Sequence, residues 1–350
     1  MVQARKGWIG VDFGAAAIKL AQLERDAGGV RLSASAVVQR ENRPAAAEGD
    51  PLWSFREVQA ALALDPRFHG RASACVLSPS KSGVRTLSVP PGSDSERRAM
   101  ISNQLLDALG AELAECEFDF WTTSCDGESD DGCGAVFVAR RDATETAQHL
   151  ARAGLSCEVL DGAPLALARA AQWRVAPGEL AAVVDWGYTQ SLLTVVLDGR
   201  PVFVRSLRDC GYQRLLSAVT SQLGLSSHDV QQLLSLYGVA SIISPGNEQA
   251  AEMARLLSQL VAEPLLAMEQ QLVRTLNHLQ LHRQSLAPTR MLLCGGGATI
   301  HHIDALFSLR LDLPVEVWRL SPGVAETPSP RGVEPMLAAA AALSALAWNP

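Results

Sequence analysis

A chain of 350 residues, 48% hydrophobic and 19% charged, is globular in composition and long enough for two substantial cores. Its formal net charge of -7, with no basic stripe interleaved with aromatics, argues against nucleic acid as a main partner, because a phosphate backbone rewards a basic surface. The most apolar run, "PMLAAAAALSALAW" near the C-terminus, falls short of the roughly 20 residues a membrane span needs and reads as a buried core helix.

From the N-terminus, two charges lead straight into a strand pattern without the apolar stretch of a signal peptide. The expectation is a cytoplasmic protein that reaches a membrane only through a partner. "GWIGVDFGAAAIKLAQLER" is an apolar β run, an Asp-x-Gly turn and a second β run, followed after Gly28-Gly29 by "GGVRLSASAVV". "ASACVLSPSKSGVRTLSVP" predicts two strands. "PGSDSERRAMISNQLLDALG" opens a helix capped near Ser93 or Ser95, with acidic residues in its first turn. "CEFDFWTTSC", a polar loop over 126–134 and "GAVFVAR" follow. The helix "RDATETAQHLARAG" then ends at Gly154, and "LSCEVLD" returns as a strand.

The second half repeats the plan. "LAAVVDWGYTQSLLTVVLDGRPVFVRSL" holds an Asp-x-Gly turn and a tight hairpin at Asp198-Gly199. Two helices ending at glycines, "YQRLLSAVTSQLG" and "SSHDVQQLLSLYG", precede a long amphipathic helix over about 250–283 that Pro264 should break or kink. "TRMLLCGGGATIHHIDALFSLRL" reads as a buried strand, a triple-glycine turn and a helix start. A strand, "PVEVWRL", and the Ala-rich helix close the chain.

The expected class is therefore α/β (α+β), an internal duplication with an insert. The first half spans 1–178 with an inserted subdomain over about 72–162. The second spans 179–350 with a small subdomain over about 212–255. Seven cysteines (Cys75, Cys116, Cys125, Cys133, Cys157, Cys210 and Cys294) form no C-x-x-C pair, so free thiols are expected, although Cys125 and Cys133 could approach each other across a hairpin.

Three stretches carry chemistry. In the first, Gly14 permits a tight turn whose backbone N–H groups face a phosphate, Lys19 supplies a positive charge, and Asp12 suits a magnesium-bound water. A plain hairpin with an exposed lysine is the competing reading. In the second, Asp185 and Gly187 repeat the turn, and Thr189 and Ser191 add hydroxyls that the first loop lacks. Trp186, alternating along a strand, should point away from the turn interior. In the third, Gly295, Gly296 and Gly297 allow close approach of a flat ring or a phosphate. Two such hairpins on opposite halves could clamp a triphosphate. His278 and His282, four apart on a helix, lack a third ligand and read as a surface or interface face, and His301-His302, after the glycine turn, read as lying near the cleft mouth or in solvent. No Ser/His/Asp or Cys/His set appears, so no catalytic residue is assigned.

In order and spacing these motifs resemble the actin-like ATPase fold, two duplicated ribonuclease H-like halves with an insert in the first. Over nearly the whole chain the sequence is similar to the PilM family of type IV pilus assembly, through "IGVDFGAAAIKLAQLER", "TLSVPPGSDSERRAMISNQL", "FVARRDATETAQHLARAGLSCEVLDGAPLALARA" and "LCGGGA". The resemblance implies a cytoplasmic scaffold whose partners are the cytoplasmic peptide of a PilN-like inner-membrane protein and other pilus assembly proteins. It also implies an ATP and Mg site. That site would use Asp12, Phe13, Gly14, Ala15, Ala16, Lys19, Asp185, Gly187, Tyr188, Thr189, Gly211, Gly295, Gly296 and Gly297, with Asp12 and Asp185 toward the metal. The departures point to a weakened site. Ala15-Ala16-Ala17 replaces the family's hydroxyl, Cys210-Gly211 followed by Tyr212 stands where a Gly-Gly pair is usual, and Gln231 and Leu234 stand where the family offers Glu and Lys. An active ATPase or phosphotransferase of this fold, and an FtsA-like filament former, are the alternatives.

Overall fold

A computed structural model describes residues 5–39, 53–77, 81–123, 132–239, 248–320 and 332–348. The chain divides into two units, residues 1–170, 199–204 and 339–350 in one and residues 171–198 and 205–338 in the other.

The first unit is built on a six-stranded sheet. Its strands are β1 (Arg5–Lys6), β2 (Ile9–Phe13), β3 (Ala17–Asp26), β4 (Gly29–Gln39), β5 (Ala72–Leu77) and, after the segment described next, β9 (Ser156–Asp161). The order is β1-β3-β2-β5-β9, with β4 on β3. β2 and β3 form the expected antiparallel hairpin, and β2, β5 and β9 run parallel. All five residues of β2 are buried, as a central strand covered on both faces requires. Helix α1 (Phe55–Leu64) starts on a capping box in which Ser54 and Glu57 satisfy each other's backbone N–H.

Between β5 and β9 the chain makes β6 (Ser82–Ser88), α2 (Asp94–Leu109), β7 (Cys116–Thr122), β8 (Gly132–Ala139) and α3 (Arg140–Arg152). The first, third and fourth of these form a separate three-stranded sheet, β6-β8-β7. Ser93 caps α2 in a second capping box with Glu96, and Gly110 and Gly154 follow α2 and α3 with positive φ. Cys125 and the loop tip lie outside the described residues, so its approach to Cys133 has no structural account. The six described cysteines other than Cys125 are free thiols.

Helix α4 (Ala163–Ala171) is followed by β10 (Ala181–Trp186), β11 (Ser191–Leu197), β12 (Arg200–Leu207), α5 (Gln213–Leu223), α6 (Ser227–Tyr237), α7 (Glu248–Leu260), α8 (Ala262–His282), β13 (Arg290–Cys294), α9 (Ile303–Leu311), β14 (Val315–Val317) and α10 (Ala338–Ser344). Residues 200–204 of β12, and α10 from Ala339 onward, belong to the first unit, and the other elements after α4 to the second. The sheet order β12-β11-β10-β13-β14 repeats β4-β3-β2-β5-β9, with the same antiparallel hairpin and the same parallel neighbours. Asp198 and Gly199 both take positive φ, as the turn between β11 and β12 demands. The long helix read over 250–283 is two helices. The break falls at Val261, and Pro264 sits in the first turn of α8, where its missing N–H is tolerated.

Asp65, the C-cap of α1, is buried at 6% exposure. It accepts the Ser35 N–H of β4 at 3.0 Å and the Arg67 guanidinium at 2.6 and 2.8 Å. The Arg67 hydrogen bond leads in holding its carboxyl down, at about 2 instead of 3.8. A lowered folded value stabilises the fold above the unfolded value and is lost as pH falls through the folded one. Stability attributable to Asp65 is therefore expected to drain between about pH 4 and pH 2, and Asp65→Asn should flatten the acid-unfolding curve followed by circular dichroism over that window.

Candidate functional site

In the first unit the site begins at the carboxyl end of β2, the end of a parallel sheet at which ligands of open α/β folds bind. Asp12 lies directly across the hairpin from Lys19, and the Lys19 Nζ donates to Asp12 Oδ2 at 2.7 Å. Both side chains are only 12% exposed. The lysine that the sequence offers to a ligand is thus held by the aspartate that it offers to a metal. Gly14 donates its N–H to the Ala17 carbonyl at 3.1 Å and accepts the Trp53 indole N–H at 2.8 Å. A Cβ on Gly14 would stand 2.8 Å from Ala17 O and 3.0 Å from Lys19 Nζ, so the glycine lets the lysine fold in beside the turn. Phe13 is buried and packs in the core, while Ala15 and Ala16 form the half-buried tip of the loop.

The second unit repeats the placement without the lysine. Asp185, next to the last residue of β10, lies opposite Cys294 of β13, as Asp12, next to the last residue of β2, faces Val76 of β5. Its cross-hairpin neighbour, seven residues on as Lys19 is from Asp12, is Leu192. Gly187 and Tyr188 give their carbonyls to the N–H groups of Tyr212 and Gln213, both at 2.9 Å. A Cβ on Gly211 would lie 2.3 Å from Thr189 O, so Gly211 packs backbone to backbone against the turn. Ser191 is buried and donates to the Cys210 carbonyl at 2.7 Å, which spends the hydroxyl on structure, whereas Thr189 is exposed.

The triple-glycine turn belongs to the same cluster. Gly295 has φ 82°, and a Cβ there would lie 2.3 Å from Asp185 Oδ1. On Gly297 it would fall 2.2 Å from the Trp186 ring, and on Gly296 3.3 Å from Tyr212. Trp186, alternating away from Asp185 as a strand residue does, is fully buried beneath this turn. It stacks on Phe307 at 5.7 Å and meets Tyr212 edge-on at 6.4 Å. Burial pushes the Tyr212 phenol up, so the ring is a neutral packing element. Leu234, standing where the resemblance implies a lysine, is fully buried, and its carbonyl accepts N–H groups of Gly238 and His301. Gln231 is half-buried on the same helix.

The structure adds a pocket that the sequence reading missed. It lies in the first unit, lined by Phe13, Trp53, Leu77, Lys81, Asp142, Glu145, Thr146 and His149, and its volume of about 30 Å³ holds a water molecule or two. Lys81 and Asp142 approach to 3.5 Å. His149 Nδ1 lies 2.6 Å from the Trp53 carbonyl, which can only accept, so that nitrogen carries the proton. The bonds His149 to Trp53 O and Trp53 Nε1 to Gly14 O thereby connect this pocket to the first Asp-x-Gly turn. Trp53 in "DPLWSF", just before a capped helix start, was the one available signal.

Among the described residues no group of three His, Cys, Asp or Glu is arranged to hold a metal, and no helix is long and apolar enough to cross a membrane. His278 and His282 lie on the exposed face of α8 with their rings 5.1 Å apart and tilted by 47°.

Comparison with curated proteins by sequence finds no match. Among solved structures, the chain is similar to one described as "PilM-PilN type IV pilus biogenesis complex", at 19% identity and TM-score 0.77, covering 98% of this chain and 99% of that one. It is also similar to the ethanolamine utilization protein EutJ from Carboxydothermus hydrogenoformans, at 15% identity and TM-score 0.56, covering 97% and 89%. The fold is the actin-like ATPase fold. The sequence model described as "Type IV pilus assembly protein PilM" matches residues 10–347, and the chain belongs to that family.

Proposed function

We propose that this chain is a cytoplasmic scaffold of type IV pilus assembly that binds the cytoplasmic segment of a PilN-like inner-membrane protein, with its nucleotide contacts reduced. The observation that carries the reading is the full-length likeness to a chain solved in a PilM-PilN complex, joined to membership of the family. The pocket of the first unit supports it. It sits where the three-stranded sheet's flanking elements, β5 and α3, meet the turn after β2, and it sets the apolar Phe13, Trp53 and Leu77 beside the charged Lys81, Asp142 and Glu145. Such a mixture, around room for a water molecule or two, suits the backbone and charged groups of a peptide laid across its mouth. In this reading the first half, 1–178, carries partner binding, and the second, 179–350, completes the scaffold.

The polar inventory supports reduced nucleotide contact. ATP and Mg would rely on Asp12, Lys19, Asp185 and backbone N–H groups, while Leu234 is core and Ser191 is spent on Cys210. Each absent hydrogen bond removes about 0.5–1.5 kcal/mol. The test is calorimetric titration of the full chain with the cytoplasmic peptide of its PilN-like neighbour. Saturable binding is expected, weakened about tenfold, or about 1.4 kcal/mol, by Lys81→Glu or His149→Ala. No heat at high micromolar peptide would remove the scaffold reading in this form. A parallel Mg-ATP titration should give weak binding, and rapid turnover would favour the ATPase alternative instead.

A further inference from the structure

Cys75 and Cys157 are 82 positions apart in sequence and sit on neighbouring parallel strands, β5 and β9, with their sulfurs 3.6 Å apart. The register slips there: Cys157 faces Ser73, but Val159 faces Ala74, so Glu158 is an extra residue on the edge strand. Both thiols enter one apolar cluster with Leu150 of α3 and with Val58 and Ala61 of α1.

Their environments differ in the way a redox couple requires. Cys157 is half-buried on the edge strand, and the hydrogen bond with Cys75 holds its thiol below the ordinary value. Cys75 is fully buried, and the same contact together with burial pushes its thiol well up. The half-buried thiol, with the lower value, is the better nucleophile, and the fully buried one, its sulfur 3.6 Å away, lies within reach to resolve what that nucleophile forms.

We propose that Cys75 and Cys157 form a reversible, peroxide-sensitive dithiol pair whose disulfide clamps β5 to β9. The Cys157 thiolate attacks a hydroperoxide oxygen, the O–O bond breaks, and the departing oxygen takes a proton to leave as water or alcohol. Cys157 becomes a sulfenic acid. The Cys75 sulfur then attacks the Cys157 sulfur, the S–O bond breaks, and the Cys75 proton leaves with the hydroxide as water. Two thiols have given up two electrons, and the peroxide has accepted them. Thiols that must stay reduced for most of their lifetime in a reducing compartment are where transient, sensing disulfides occur.

The place of the pair gives the bond a mechanical consequence. The segment from β6 to α3 leaves the six-stranded sheet after β5 and returns to it at β9. A link between Cys75 and Cys157 would tie the exit to the return and stiffen the attachment of the three-stranded sheet.

The experiment treats the full reduced chain with a small molar excess of hydrogen peroxide, alkylates the remaining thiols and digests the chain for mass spectrometry. A Cys75–Cys157 linked peptide is expected, lost on adding dithiothreitol and absent in Cys157→Ser. Cys75→Ala should instead accumulate a sulfenic acid on Cys157 that dimedone traps. Hydrogen exchange over 82–139 should slow on oxidation in the parent chain and stay unchanged in Cys157→Ser. The linked peptide is read in the parent chain, so it does not depend on either variant folding. Both thiols surviving, over-oxidation of Cys157 without a link, or a link from Cys157 to a different cysteine would each overturn the proposal.

Discussion

Gly10→Ala is expected to lower stability by about 3 kcal/mol or more, and Gly10→Val to leave no folded protein, because β2 has no room for a side chain where α10 crosses it. A Cβ on Gly10 would lie 1.9 Å from the Ala340 carbonyl oxygen and 3.0 Å from the Ser344 nitrogen, and one on Gly7 would lie 2.4 Å from Ser344 Oγ. These obstacles are backbone or a short fixed side chain, so nothing swings away. The helix is Ala-rich for the same reason: Ala340 to Ala342 are all nearly or fully buried and bring its backbone close to the strand. Ser344 fastens the contact, donating to the Trp8 carbonyl at 2.6 Å and accepting the Leu23 N–H at 2.9 Å. Ser344→Ala removes both bonds in a fully buried place and should cost about 2 kcal/mol, which makes it the milder member of the series. Urea-induced unfolding of the parent, Gly10→Ala and Ser344→Ala chains gives the ranking, with Gly10→Val read from the loss of native circular dichroism. A Gly10→Ala chain as stable as the parent would mean that α10 does not rest on β2.

Much of the architecture could be read from local pattern. The two Asp-x-Gly hairpins, a helix cap near Ser93 or Ser95 that the structure puts at Ser93, the Asp198-Gly199 turn and the buried C-terminal helix all rest on neighbours in sequence, where period and turn chemistry act directly. The break of the long helix was misplaced by three residues, since proline excludes itself from helix interiors and not from first turns. What escaped the sequence was pairing at a distance. Trp53 reaches Gly14 across 39 positions and His149 reaches Trp53 across 96, and no periodicity reports such a contact. Gly297 looked like an invitation to a ligand, yet the ring of Trp186 lies against it. A glycine turn signals close approach, and the sequence does not say whether a ligand or an indole approaches.

The Asp12–Lys19 pair poses the same ambiguity in charged form, and a double-mutant cycle resolves it. Asp12→Ala is expected to destabilise the nucleotide-free chain by about 1–3 kcal/mol, because it removes the carboxylate that pairs with a largely buried ammonium. Lys19→Met, which removes the charge but keeps the stem, should cost less. The double variant should be no worse than Asp12→Ala alone, a coupling of about 1–2 kcal/mol in favour of the pair. The sign matters for function. If Asp12 is held by Lys19, a magnesium-bound water must displace that ammonium or share the carboxylate with it, and Asp12→Ala cannot serve as a clean test of nucleotide chemistry, since it damages the turn before any nucleotide arrives. Lys19→Met then becomes the informative variant. It frees the carboxylate for a metal while withdrawing a phosphate contact, so Mg binding and ATP binding should move in opposite directions in calorimetry. A coupling near zero would instead mean that Asp12 is poised independently of Lys19, the arrangement expected of a site kept ready for its metal.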